Sequence, residues 1–238
     1  MKNVLIVCPS SWDDAQLARA RDRWSSEYHL LFHGQGAEDS PSTFHAASFI
    51  ADAVEQLRSR PVDGVTSSSD YPGCLVAAAI TEELRLPGPA IEKVLLSSHK
   101  YYARLTERPA VPEATPRFSL LDPQRLDAGQ LKVGFPLFVK PVKSWFSVLA
   151  RRVDTFDDLA AFAALPEVKT HLSEFVAPFN ELVAGNIDFA FDGSYLLAEE
   201  APGRGSGDRR GLSLAGTLCS DRHCGFGDVP GNDELPAL

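Results

Sequence analysis

No apolar run in this chain comes near the roughly 18 residues that a membrane-spanning helix needs. The opening Met1–Pro9 is too short in apolar residues for a secretory leader and reads better as a first β-strand. There is no excess of positive charge: 23 Lys and Arg stand against 32 Asp and Glu, a net charge of −9. A general nucleic-acid binder needs a basic face, so that class is excluded, whereas a local basic pocket is not. Cysteine is scarce, with Cys8, Cys74, Cys219 and Cys224 alone. Without a leader they are expected to be reduced thiols in a cytoplasmic protein. No internal repeat of useful length occurs, and no Gly-Lys-Ser/Thr of a P-loop follows the glycines at 203–207, which read as a flexible loop. Gly34-Gln35-Gly36 follows the second strand instead of the first and is only a fragment of a dinucleotide fingerprint. Cys219, His223 and Cys224 are too crowded for the usual zinc-ligand spacing and are read as incidental.

What is present is an ordered α/β pattern. Val4–Cys8 is a continuous apolar run suited to a strand buried on both faces. Ser10 and Ser11 can cap a helix over Trp12–Trp24, with Asp13 and Asp14 in its first turn, where the helix dipole favours acids. A second strand is predicted at Tyr28–Phe32, a helix over Phe44–Leu57 and a third strand at Asp63–Thr66. Asp70 then stands as N-cap to a small-residue helix over Tyr71–Leu84. Strand and helix alternating at this spacing predict a parallel sheet with crossover helices.

Beyond the break at Leu86–Pro89, Ile91–Leu96 and Ser98–Leu105 read as two short helices. A strand is expected around Phe118 and a helix over Pro123–Leu131. Phe135–Val139 is an apolar strand running into Lys140, followed by a polar turn and a return strand over Ser147–Val153. A lysine at that junction sits beside backbone N–H groups, which is one way to hold polyphosphate; a surface lysine at a hairpin end is the other reading. Thr155, with an acid three residues on, opens a capped helix. Another helix is expected around Phe179–Val183, and Tyr195–Ala198 forms a strand ending in Glu199-Glu200. From Pro202 to Leu238 there are eight glycines and one aromatic, too few large apolar side chains to offset the entropy of ordering the segment.

Six of these pieces, in this order, resemble the ATP-grasp family over residues 1–200. They are Asp63-Gly64-Val65 with Ser67–Asp70, Leu84–Pro89, His99-Lys100, Val111–Pro116, Phe135–Pro141 and Leu197–Glu200. The resemblance implies a Rossmann-like parallel-sheet pre-ATP-grasp domain (1–90), an α+β ATP-grasp lid domain with its hinge strand (91–201), and a poorly structured Gly-rich tail (202–238). By position, Lys100 looks like the lysine ahead of the lid that approaches the phosphates of ATP, and Lys140 like the strand lysine that also contacts them. Ser144 to Ser147 would be the hairpin over the triphosphate. Glu199 and Glu200 would end the hinge strand that reads the adenine amino group. Ala201 or Gly203 would donate to the ring, since Pro202 has no N–H.

The implied parent activity is ATP-dependent ligation through an acyl phosphate. Its partners would be a nucleotide and an unidentified carboxylate. Mg²⁺ is expected for the family, yet after Glu200 the acids are Asp208, Asp221, Asp228, Asp233 and Glu234, with no Glu-x-Asn pair among them. No metal ligand is therefore assigned, and a truncated or frame-shifted product is the expectation from the change of composition at Ala201. A non-catalytic ATP-binding or regulatory remnant, or a flavodoxin-like interaction domain, are the alternatives.

Overall fold

The computed structural model describes residues 2–24, 28–33 and 44–201. Its first layer is a parallel three-stranded sheet of β1 (Lys2–Val7), β2 (Tyr28–His33) and β3 (Gly64–Thr66), in the order β2-β1-β3. Three helices connect or follow these strands: α1 (Ser11–Trp24), α2 (Ala46–Leu57) and α3 (Gly73–Glu83). As the sequence suggests, Ser10 caps α1. Its backbone N–H donates to Asp13 Oδ2 at 2.7 Å, and the Asp13 N–H points back at Ser10 Oγ at 3.4 Å.

Asp70 does not cap α3. That helix starts three residues later, at Gly73, with Pro72 before it and no side-chain cap. The intervening Tyr71 is fully buried instead of helical. Its hydroxyl donates to the Phe175 carbonyl at 2.7 Å and accepts from the Phe179 N–H at 3.2 Å. Burying a large aromatic with both hydroxyl functions satisfied outweighs one solvent-facing cap. Gly73 is required by close approach, because a Cβ there would lie 2.2 Å from Ser67 Oγ.

The second layer is an antiparallel four-stranded sheet in the order β4-β7-β5-β6. Its strands are β4 (Phe118–Leu121), β5 (Leu137–Pro141), β6 (Arg151–Val153) and β7 (Leu196–Glu200). Between the sheets in sequence come α4 (Ile91–Ser98) and α5 (Lys100–Glu107), two short helices that meet at His99. After β6 follow α6 (Phe156–Ala164), α7 (Pro166–Thr170), a π-helical turn at His171–Phe175 and α8 (Ala177–Asn186). Thr155 and Asp158 form the full reciprocal capping box at the start of α6.

Two expected elements are shorter than predicted. Pro123–Leu131 holds only a 3-10 turn at Ala128–Gln130. Asp122 and Asp127 each accept a backbone N–H two residues on, from Gln124 and Gly129, and such local bonds compete with helix formation. The return strand begins at Arg151, not Ser147, because Phe146, Ser147 and Leu149 have φ of 45°, 59° and 56°. Backbone in that left-handed region cannot extend as a strand.

The parallel sheet shares its core with Ile50 and Val54 of α2, Leu75 and Ile80 of α3, and Ile91 and Leu95 of α4. Phe179, Leu182 and Val183 of α8 join the same cluster, although they lie nearly ninety residues further along the chain. The antiparallel sheet has its own core, in which Leu137, Val139, Leu196 and Ala198 meet Leu159 and Phe162 of α6. A fully buried leucine of this kind contributes about 1.5–3 kcal/mol relative to exposure. Among the described residues no helix is long and apolar enough to cross a membrane.

Candidate functional site

Strand alternation decides which side chains leave the second core. Leu137 and Val139 of β5 point into it, so Phe138 and Lys140 occupy the other face. On β7, Leu196 and Ala198 point in, which puts Leu197 and Glu199 on the same side as Lys140. The register pairs Phe138 with Glu199 and Lys140 with Leu197, making Lys140 and Glu199 diagonal neighbours. Lys140 Nζ donates to Glu199 Oε2 at 2.6 Å. Arg104 of α5 donates from Nε to Glu199 Oε1 at 2.8 Å. Glu199 is 6% exposed. Burial pushes its carboxyl upward, but the hydrogen bonds and charges of Lys140 and Arg104 outweigh that and hold it below the usual carboxylate range.

Lys100 lies one helical turn before Arg104 and so shares its face of α5. Its backbone N–H donates to the Val142 carbonyl at 2.9 Å and its Nζ to the Ser144 carbonyl at 2.8 Å. Both ends of the residue are thereby tied to the loop between β5 and β6. Burial, then the nearby charges of Lys143 and Lys140, lower its pKa to about 7. Lys143 itself is 4% exposed, its ammonium 4.4 Å from the centroid of the Tyr71 ring. Burial lowers its pKa as well. Among the described residues neither Lys100 nor Lys143 has an acid within 4.0 Å. Lys100 and Lys140 therefore lie close to a single buried carboxylate, Glu199, which is already shared with Arg104, and the charge of Lys143 acts on Lys100 from the β5–β6 loop. In a chain of net charge −9 this is a local cationic excess, the electrostatic form of an anion site.

The predicted site residues divide into two groups. Lys100, Lys140, Glu199 and the Ser144 carbonyl come together. Ser144 Oγ turns away to the Val148 carbonyl at 3.0 Å, and Ser147 lies at the loop tip, where its carbonyl accepts from Ala150 N–H at 3.1 Å. Glu200 alternates to the opposite face and pairs with the exposed Arg117. The Glu200 and Ala201 N–H groups donate to the carbonyls of Arg117 and Pro136, at 3.0 and 3.3 Å. The Glu199 carboxylate and the Ala201 N–H, expected to face adenine, thus already have partners within the fold. Gly203 lies outside the described residues, as do the glycines at 34 and 36 and Cys219, His223 and Cys224.

Sequence reading missed Arg104 and Lys143. Arg104 was recoverable from its four-residue spacing to Lys100 on a helix. Lys143 stands in plain view in Lys140-Pro141-Val142-Lys143, but nothing local says that it will be buried. Among the described residues no three His, Cys, Asp or Glu side chains gather to hold a metal ion.

Neither a protein-family model nor a curated protein matches the sequence. Solved structures do match the fold. The L-amino acid ligase from Bacillus licheniformis is similar at a TM-score of 0.55 and 20% identity, over 84% of this chain and 44% of that one. The VanG D-Ala:D-Ser ligase from Enterococcus faecalis is similar at 0.51 and 16%, over 84% and 62%. The biotin carboxylase domain of the Hydrogenobacter thermophilus 2-oxoglutarate carboxylase, solved with MgADP, ADP and bicarbonate, is similar at 0.50 and 13%, over 82% and 43%. The fold is the ATP-grasp fold. This chain spans less than two thirds of the length of each of these structures.

Within the ATP-grasp fold, His99 shows how firmly Lys100 is seated. His99 is fully buried at the joint of α4 and α5, where its Nε2–H donates to the Asp192 carbonyl at 2.9 Å and its Nδ1 has no partner. Burial lowers its pKa to about 4, against 6.5 ordinarily. Between those values the unfolded chain binds the proton and the folded chain does not. The stability is therefore fully present above about pH 6.5 and is lost as pH falls toward 4. The urea midpoint should drop from pH 7 to pH 5, and His99→Gln, which can keep the donor to Asp192, should flatten that drop. An equal drop in the variant would leave His99 out of it.

Proposed function

We propose that this chain binds ATP, with the triphosphate against Lys100 and Lys140 under the loop between β5 and β6, and the adenine near the end of β7 at Glu200-Ala201. The observation that carries the reading is that Lys100 and Lys140 lie together beside the β5–β6 loop with one buried carboxylate, Glu199, between them, which Arg104 already shares. Phosphate oxygens would supply negative charge and favour the protonated form of Lys100. The ATP-grasp fold supports the same assignment.

The parent reaction would be ligation. A carboxylate oxygen attacks the γ-phosphorus, the bond to the β–γ bridging oxygen breaks, and ADP leaves with that electron pair. A nucleophile then attacks the acyl carbon and expels phosphate. Catalysis of this type rests on positioning and charge stabilisation, which is what buried lysines on a rigid sheet supply.

A thermal-shift titration with Mg-ATP tests the binding. A ligand at a hundred times its Kd stabilises by about 2.7 kcal/mol. The native chain should therefore shift clearly and Lys140→Ala much less. Equal shifts would remove Lys140 from the site. In a second reading nucleotide binds without turnover. ADP release measured with Mg-ATP and mixed carboxylic acids separates the two: release above the blank supports ligation, and saturable binding without release supports the second reading.

A further inference from the structure

The loop between β5 and β6 also borders an open cavity of about 500 Å³. Val148 and Leu149, close to the start of β6, form one part of its wall, and Pro166 of α7 and Phe175 of the π-helical turn another. That volume lies within the roughly 300–1,000 Å³ of small-molecule sites. Lys100, Lys140 and Glu199 do not line it, so it is separate from the cationic site described above. Val148 remains 41% exposed, leaving apolar surface open to solvent there.

The polar groups on this wall are almost all acceptors. Glu167, His171 and Glu174 recur at four- and three-residue spacing and so share one side of α7 and the turn after it. Among the described residues neither glutamate has a cation within 4.0 Å. His171 is 7% exposed and stacks on Phe175 with ring centroids 4.3 Å apart. Its Nε2 must carry the proton, because it faces the Lys143 carbonyl at 3.0 Å. Burial lowers its pKa below the ordinary 6.5, so at neutral pH Nδ1 presents a lone pair. Among the described residues His99 Nδ1 is the one side-chain nitrogen or oxygen that is both sealed off and unpartnered. His171 Nδ1 has no partner either and therefore still reaches solvent. In a ring buried this deeply, the opening is the cavity it lines. Thr170, whose hydroxyl serves either way, is the exception to the pattern.

Carboxylates and an imidazole lone pair are satisfied only by donors, and two negative charges select a cation. The apolar wall selects a hydrocarbon body. We propose that this cavity binds a small apolar cation, an ammonium or guanidinium carried on an aromatic or branched hydrocarbon. Its N–H groups are taken by His171 Nδ1, Glu167 and Glu174, and its body lies on Val148, Leu149 and Phe175. The site does not depend on ATP binding, and its ligand is not a reacting partner of the nucleotide.

Phenethylammonium is the probe, titrated into the full chain at pH 7.5 without nucleotide and followed by ligand-observed NMR of its ring protons. Binding should be saturable. Hydrocinnamate, with a similar body and the opposite charge, should bind at least tenfold more weakly. Ethylammonium, with the charge and almost no body, should do the same. Glu167→Gln combined with Glu174→Gln should weaken phenethylammonium at least threefold, and both side chains are exposed, so the fold is kept. The proposal is overturned by a native chain that binds no phenethylammonium or binds it and hydrocinnamate alike. Native affinity in the double variant overturns it too. So does consumption of the amine on adding Mg-ATP, which would make it a reacting group. Because the titration contains no nucleotide, its result stands whether or not the chain binds ATP.

Discussion

Replacing Glu199 by alanine is expected to lower the unfolding free energy by about 3–5 kcal/mol, the usual result of removing one partner from a buried ion pair. The carboxylate is 6% exposed and binds Lys140 at 2.6 Å and Arg104 at 2.8 Å, so its loss strands Lys140 and leaves Arg104 with Glu107 alone. Lys100 and Lys143 close by have no acid of their own, and the strand-facing surface would carry only positive charge. Urea denaturation read by circular dichroism measures the effect. In a Lys140→Met background the same Glu199→Ala change should cost clearly less, because one stranded cation is already gone; additive losses would show that the pair is not coupled. Glu200→Ala is the matching control. That carboxylate pairs with Arg117 in solvent, where screening leaves little net gain, and the variant should denature with the native chain.

The second large effect concerns pH. Lys100 is lowered to about 7 by burial and by Lys143 and Lys140, so above pH 7.5 most of it is neutral in the folded chain. Stability carried by this group is full above its unfolded value of 10.5 and is lost as pH falls toward 7, where the buried side chain must take up charge. Nucleotide binding runs in the opposite sense. Phosphate oxygens favour the charged lysine, so binding draws a proton from solvent and weakens by about tenfold per pH unit above 7.5. Calorimetry of Mg-ATP binding at pH 8 in two buffers of different ionisation enthalpy should give an uptake near one proton. Lys100→Met should bind more weakly and take up none. An affinity flat between pH 7.5 and 9 would mean that Lys100 is either normally charged or away from the phosphates.

Much of this arrangement was legible in the sequence, for reasons specific to each element. The parallel layer was visible because Val4–Cys8 is apolar without interruption and Ser10 with Asp13 marks the start of α1. Lys100, Lys140 and Glu199 were singled out by their place in the order of pieces that resembles the ATP-grasp family, and the fold brings the three near one another. What could not be read depends on contacts distant in sequence. Tyr71 looked like the first turn of a helix, and only its bonds to Phe175 and Phe179 keep it out of one. Lys143 looked like any turn lysine, since its burial depends on Tyr71 and Phe179, neither of which is near it in sequence. The loop after Trp145 read as strand because β-branched and aromatic residues favour strand, whereas three non-glycine residues there adopt positive φ. Propensity yields where a turn must close.

The order β4-β7-β5-β6 also fixes when the second sheet can exist. Among the described residues, the strand hydrogen-bonded to β4 on one side and β5 on the other comes last in sequence, ending at Glu200. A nascent chain that has emerged only as far as α6 can pair β5 with β6, but β4 then has no neighbouring strand and Lys140 lacks the carboxylate that holds it. Lys100 can reach the Val142 and Ser144 carbonyls without residues 196–200, whereas Lys140 gains its carboxylate only once they lie between β4 and β5.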